Sequence, residues 1–127
     1  MIRILLVEDD PVIRDTTSYF LKCQQNFEVV CADTGGEALS HAREKFDVIL
    51  MDIRMPVMDG LAATRCIRES DHSDSKTVPI VAMTANVFEE DVKKSFDAGM
   101  NAHLSKPVDI KQMYAVLDEL VTGDGLL

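Results

Sequence analysis

The stretch VILMDIRMPVMDG, Val48 to Gly60, decides the fold. Its first four residues are apolar without alternation, the pattern of a strand covered on both faces. The run stops at a lone carboxylate, Asp52, and the residues after it include a proline and the pair Asp59-Gly60, which suit a turn. Working outward, strand-like runs recur at Ile2 to Val7, Glu28 to Ala32, Ile80 to Thr84 and Ala102 to Ser105. Helical patterns lie between and after them, near Val12 to Cys23, Gly36 to Lys45, Leu61 to Glu69, Phe88 to Ala98 and Ile110 to Val121. Strands buried on both faces and alternating with helices predict an α/β fold, a parallel sheet with helices on either side.

Local punctuation agrees. Asp10 before Pro11 reads as an N-cap followed by the first helical residue, and Gly99 as a C-cap after Ala98. The segment SDHSDSKT, Ser70 to Thr77, reads as a polar loop, and the final TGDGLL as a frayed tail or the start of a linker. One domain is therefore expected over residues 1–122, with 123–127 as the tail; 127 residues, 46 % of them hydrophobic, suffice for a single core. A net charge of -9 opposes direct contact with nucleic acid or anionic membranes. Cys23, Cys31 and Cys66 are scattered and odd in number, which gives neither a disulfide framework nor a zinc site. No apolar run approaches the ~20 residues that span a bilayer. Met1 leads into a strand without a signal-peptide pattern, so a cytoplasmic chain is expected.

The polar residues fall at the strand ends. LLVEDDP sets Glu8, Asp9 and Asp10 after the first strand, Asp52 ends the third, Thr84 ends the fourth, and LSKP puts Lys106 after the fifth. In an open parallel sheet those ends share one edge, where ligands bind. Two or three carboxylates packed together repel one another, and the natural remedy is a hard divalent cation with oxygen ligands at about 2.0–2.1 Å, which describes Mg²⁺. A carboxylate beside Mg²⁺ with a lysine and a hydroxyl close by matches phosphoryl transfer. Asp52 would attack to give an aspartyl phosphate, while Lys106 and the Thr84 hydroxyl would hold phosphoryl oxygens.

From RILLVEDDP through DVILMDIRMPVMDGLAATRCIR and PIVAMTANV to AGMNAHLSKPVD, the chain resembles the receiver domain of two-component response regulators. The resemblance implies the flavodoxin-like receiver fold, five parallel strands in order 2-1-3-4-5 flanked by five helices. It implies a phosphoryl group taken by Asp52 from a sensor histidine kinase or histidine phosphotransfer protein, and a protein-binding surface that switches towards an output the sequence does not name. Such a domain catalyses only its own phosphorylation and dephosphorylation. Carried over by position, Asp10 is the direct Mg²⁺ ligand and Asp9 acts through water, with Asp52 and the backbone carbonyl of Arg54 as further ligands. Thr84 is the switch hydroxyl, Lys106 pairs with phosphate, and the Lys106-Pro107 bond is cis. The wording resembles receivers of hybrid sensor kinases, with a stand-alone regulator as the other context.

One position departs from the family. His103 stands where a Tyr or Phe is usual, so the switch is expected to be weakened or pH-sensitive. Arg54 and Asn86, two residues after Asp52 and Thr84, border the phosphoryl group in the family and are expected to set its lifetime. A phosphatase of haloacid dehalogenase type is the alternative, but it would need an acid where Arg54 stands. A flavin mononucleotide site would present hydroxyls and amides where EDD stands. SHARE, Ser40 to Glu44, resembles a kinase histidine box, yet no nucleotide-binding glycine boxes come after it, which leaves His41 as a surface residue.

Overall fold

The computed structural model describes residues 2–24, 26–41, 44–55, 57–70, 75–85 and 89–122, the side chains at 89–91 and 122 excepted. In chain order the elements are β1 (Ile2–Val7), α1 (Pro11–Lys22), β2 (Phe27–Ala32), α2 (Gly35–His41), β3 (Val48–Asp52), α3 (Gly60–Glu69), β4 (Ile80–Thr84), α4 (Glu89–Asp97), β5 (Ala102–Ser105) and α5 (Ile110–Thr122). The strands form one parallel sheet in order β2-β1-β3-β4-β5, as the resemblance implied. Every residue of β3 and β4 is buried, which is why neither run alternates.

Period-two alternation divides the apolar side chains between two cores. Leu5, Val7, Ile49, Met51, Ile80 and Ala82 pack with Ala38 of α2 and Ala63 and Ile67 of α3. Ile4, Leu6, Val48, Leu50, Val81 and Met83 pack with Leu21 of α1 and Met113 and Leu117 of α5. The sheet is thereby fixed from both sides.

Boundaries shift where side chains intervene. Asp10 Oδ1 accepts from the amides of Val12 and Ile13, and Pro11 opens α1 one residue earlier than periodicity suggested. Helix α2 ends at His41 rather than Lys45: Phe46 is buried, and Asp47 exchanges two bonds with the backbone of Arg3, drawing the chain into β3. Asp59-Gly60 is not a free turn, since Asp59 caps α3 through Ala62 N at 2.8 Å and Gly60 is its first residue. Gly60 is there for closeness, because a Cβ on it would lie 2.1 Å from the Asp52 carbonyl oxygen. The expected tail 123–127 and most of the Ser70 to Thr77 loop lie outside the described residues.

Candidate functional site

Strand direction delivers the polar residues to one mouth. The amide of Glu8 continues the β1 ladder by donating to Ala32 O at 3.0 Å. Glu8 is fully buried; its Oε2 accepts from the Asp10 amide at 3.3 Å, and its Oε1 lies 2.8 Å from Lys106 Nζ. That approach is an ion pair without hydrogen-bond alignment, so Oε1 keeps its lone pairs unmatched.

Asp52, 2 % exposed, ends β3 opposite Met83 of β4. Its Oδ1 accepts from Lys106 Nζ at 2.8 Å and from the Arg54 amide at 3.3 Å. Its Oδ2 is buried with no hydrogen-bond partner among the described residues. Burial, and then the neighbouring Glu8, hold the Asp52 carboxyl above the usual aspartate range, and Lys106 only partly opposes them. Burial works against the charge on Lys106, but its hydrogen bond to Asp52 and its ion pair with Glu8 prevail and its pKa is raised.

The lysine is positioned by its own backbone. Its amide donates to Thr84 O at 2.8 Å, and the bond to Pro107 is cis. Thr84, 7 % exposed, pairs in register with Ser105, so β4 and β5 carry hydroxyl and lysine to the same edge. His103 is half-buried opposite Ala82, and its ring stands edge-on to Phe96 of α4 with centroids 6.4 Å apart. Arg54 is exposed, and Asn86 lies outside the described residues.

Among the described residues, the carboxylates that converge are Glu8, Asp9 and Asp52, each with an oxygen within 4.8 Å of the others. The structure groups Glu8 and Asp9 where the sequence expectation had Asp9 and Asp10: Asp10 is exposed, and its Oδ1 accepts the helix-cap bonds. The signal was present, because Pro11 at the first helical position commits the residue before it to capping and leaves Glu8 and Asp9 as the pair. The set suits a hard divalent cation, since it offers three carboxylates, and two buried oxygens lack a hydrogen-bonded proton.

Fold and mouth together are those of a phospho-accepting signalling domain. Residues 4–118 match the response regulator receiver domain, and the chain belongs to that family. It is 42 % identical over 108 residues to the CAI-1 autoinducer sensor kinase/phosphatase CqsS of Vibrio cholerae, covering 84 % of this chain and 16 % of that protein. The chain thus spans about a sixth or less of the curated relatives it matches. Among solved structures, the receiver domain of sensor histidine kinase PA1611 from Pseudomonas aeruginosa is 36 % identical with a TM-score of 0.85, covering 94 % of this chain and 97 % of that one. That protein has a magnesium ion coordinated in its active-site cleft. A co-crystal structure from Saccharomyces cerevisiae, the histidine phosphotransfer protein Ypd1 with the receiver domain of Ssk1, matches at 29 % identity and TM-score 0.88, covering 99 % of this chain and 92 % of that one. No helix among the described residues is long and apolar enough to cross a membrane.

Proposed function

We propose that this receiver takes a phosphoryl group onto Asp52 from a phosphohistidine of a sensor kinase or phosphotransfer protein. The observation that carries the reading is the asymmetry of the Asp52 carboxylate. One oxygen is held by Lys106 and the Arg54 amide, while the other, Oδ2, is buried without a hydrogen bond among the described residues. A structural aspartate at 2 % exposure would have both oxygens answered. In the transfer Oδ2 forms the new O–P bond, the P–N bond of the donor breaks, and the freed imidazole nitrogen takes up a proton. Lys106 Nζ, already 2.8 Å from Oδ1, lies where it can compensate charge on the phosphoryl oxygens.

Glu8, Asp9 and Asp52 are the side chains that would hold Mg²⁺, with the Arg54 carbonyl a further oxygen on the same loop. When bound, the cation supplies charge neutralisation for the attacking and transferred oxygens. Thr84 and Lys106 border the acceptor, and Arg54 with Asn86 would tune hydrolysis of the acyl phosphate by the same domain. The context is a receiver within a hybrid kinase or a stand-alone regulator in the cytoplasm, with residues 1–122 as the domain. No observation favours the haloacid dehalogenase alternative.

Intact mass after incubation with acetyl phosphate tests this. The expected gain is ~80 Da, requiring Mg²⁺ and lost in Asp52→Asn. Labelling that survives in Asp52→Asn would refute the assignment.

A further inference from the structure

The C-terminal end of α4 is held by a side chain from another helix. Arg68, half-buried in the last turn of α3, donates from Nε and Nη2 to the Gly99 carbonyl at 3.0 and 2.8 Å. Nη2 also reaches Asn101 Oδ1 at 2.9 Å, and Nη1 the Ser75 carbonyl at 3.1 Å. All these acceptors are neutral. Burial pulls the arginine below its ordinary pKa, as expected for a guanidinium given carbonyls in place of water. Asn101 Oδ1 accepts from the Ile80 amide as well, at 2.9 Å, so the cluster reaches the first residue of β4 and the residue just before β5.

Gly99 admits the arginine. Its φ of +109° ends the helix, and a Cβ there would lie 2.9 Å from Arg68 Cγ. The amides of Gly99 and Met100 return to the carbonyls of Phe96 and Ser95 at 3.0 and 3.1 Å, a Schellman closure. A cation is thus laid against the negative end of the helix dipole. The described side chains of α4, residues 92–97, grip the protein less. Of these side chains only Ser95 is buried, Phe96 is 46 % exposed, and the sheet meets the helix chiefly at β5. Its other end begins five residues after Thr84.

We propose that Arg68 is a positioning residue that makes the Gly99 end of α4 a fixed pivot, so that a change of state at Asp52 and Thr84 reaches the helix as movement of its Glu89 end. The inference rests on Asp52 being the phosphoryl acceptor and says how that state leaves the site. A nine-residue helix is about 13 Å long. Pinned at one end, it moves most at the other. The Phe96–His103 contact, near the pin, stays in place.

Amide hydrogen exchange on the full chain tests the pivot, without ligand and with Mg²⁺ plus beryllofluoride as the phosphoryl mimic. In the wild type, exchange at residues 89–93 should respond to the mimic at least about five-fold more than at 97–101. In Arg68→Met without ligand, exchange at 97–101 should accelerate about ten-fold while β1 and β3 keep their protection. With the mimic, the response in that variant should extend along the whole helix. Arg68→Lys, which keeps the charge but not the fork, should fall between. Equal responses at the two ends of wild-type α4, or ligand-free acceleration in Arg68→Met spread evenly over β1, β3 and α4, would overturn the proposal. The ligand-free arm does not involve Asp52. Failure of the mimic to shift the melting temperature would count against the acceptor, and the ligand-free arm would still decide the pivot.

Discussion

The two edges of this sheet are finished in opposite ways. At the amino edge, where the strands begin, Arg3 bonds the Lys45 carbonyl at 2.8 Å, pairs with Glu28 and Glu44 at 3.2 Å, and lies 4.6 Å over the Phe46 ring. Arg68 is likewise surrounded by oxygens that accept from it. At the carboxyl edge, Glu8 Oε1 and Asp52 Oδ2 are buried without a hydrogen bond from the described residues, Oε1 meeting Lys106 only as an ion pair, and burial holds the Asp52 carboxyl above its ordinary pKa. A buried polar group left unmatched costs about 1–3 kcal/mol. The difference separates the charges that serve the fold from those kept for a ligand.

The largest effect should come from closing the space at the carboxyl edge. Gly60→Ala places a Cβ 2.1 Å from the Asp52 carbonyl oxygen, so β3 and α3 cannot both stay where they are. A urea melt should show a loss of about 3 kcal/mol or more. A loss under about 1 kcal/mol would mean that β3 is not pinned against α3. Next comes the amino edge. Arg3→Met keeps the stem against Phe46 but removes the carbonyl bond and both ion pairs, for an expected loss of about 2 kcal/mol. Glu28 and Glu44 are about half exposed, so the ion pairs are the minor part and added salt should recover little of the difference between wild type and variant.

Smaller and opposite in sign is Asp52→Asn. A carboxyl whose pKa is higher in the fold than in the unfolded chain stabilises the fold while protonated. That contribution is complete below the unfolded value, about 3.9, and is lost as pH rises through the raised folded value. In chelator, the variant should therefore gain on the wild type as pH rises from about 4 and be the more stable of the two at neutrality. Millimolar Mg²⁺ should narrow the gap, since it binds the wild type better. If the variant is instead less stable in chelator at neutral pH, the Lys106 bond outweighs desolvation and the edges differ less than their geometry suggests.

Much of this was legible because β3 and β4 are buried on both faces, so their apolar runs could not be mistaken for half-exposed strands. That Asp52, Thr84 and Lys106 share one edge follows from strand ends alone. Choosing between Asp9-Asp10 and Glu8-Asp9 turned on following the N-cap signal at Asp10-Pro11 to its consequence, that a capping carboxylate turns back onto its own helix. The early end of α2 was hidden for a similar reason. His41 and Glu44 continue a plausible helical face, whereas Arg3 bonds Glu44, Lys45 and Asp47 and ties that stretch to β1. Arg68 reads as an ordinary exposed helix residue until Gly99, 31 positions on, is placed beside it.

The smallest prediction concerns strain, a further cost at the carboxyl edge. Met55 and Met58 both pack into the core shared with α2 and α3, which turns Val57 outward, fully exposed, with φ at +71°. A β-branched side chain disfavours that conformation, whereas asparagine tolerates it. Val57→Asn should therefore raise stability by about 0.5 kcal/mol, while Val57→Gly should come out near zero because its added chain entropy offsets the relief. Both melts should be run beside acetyl phosphate labelling, which should not change. A loss of stability in Val57→Asn would show that the valine side chain stabilises the loop, and strain would then no longer count among the costs that set this edge apart from the other.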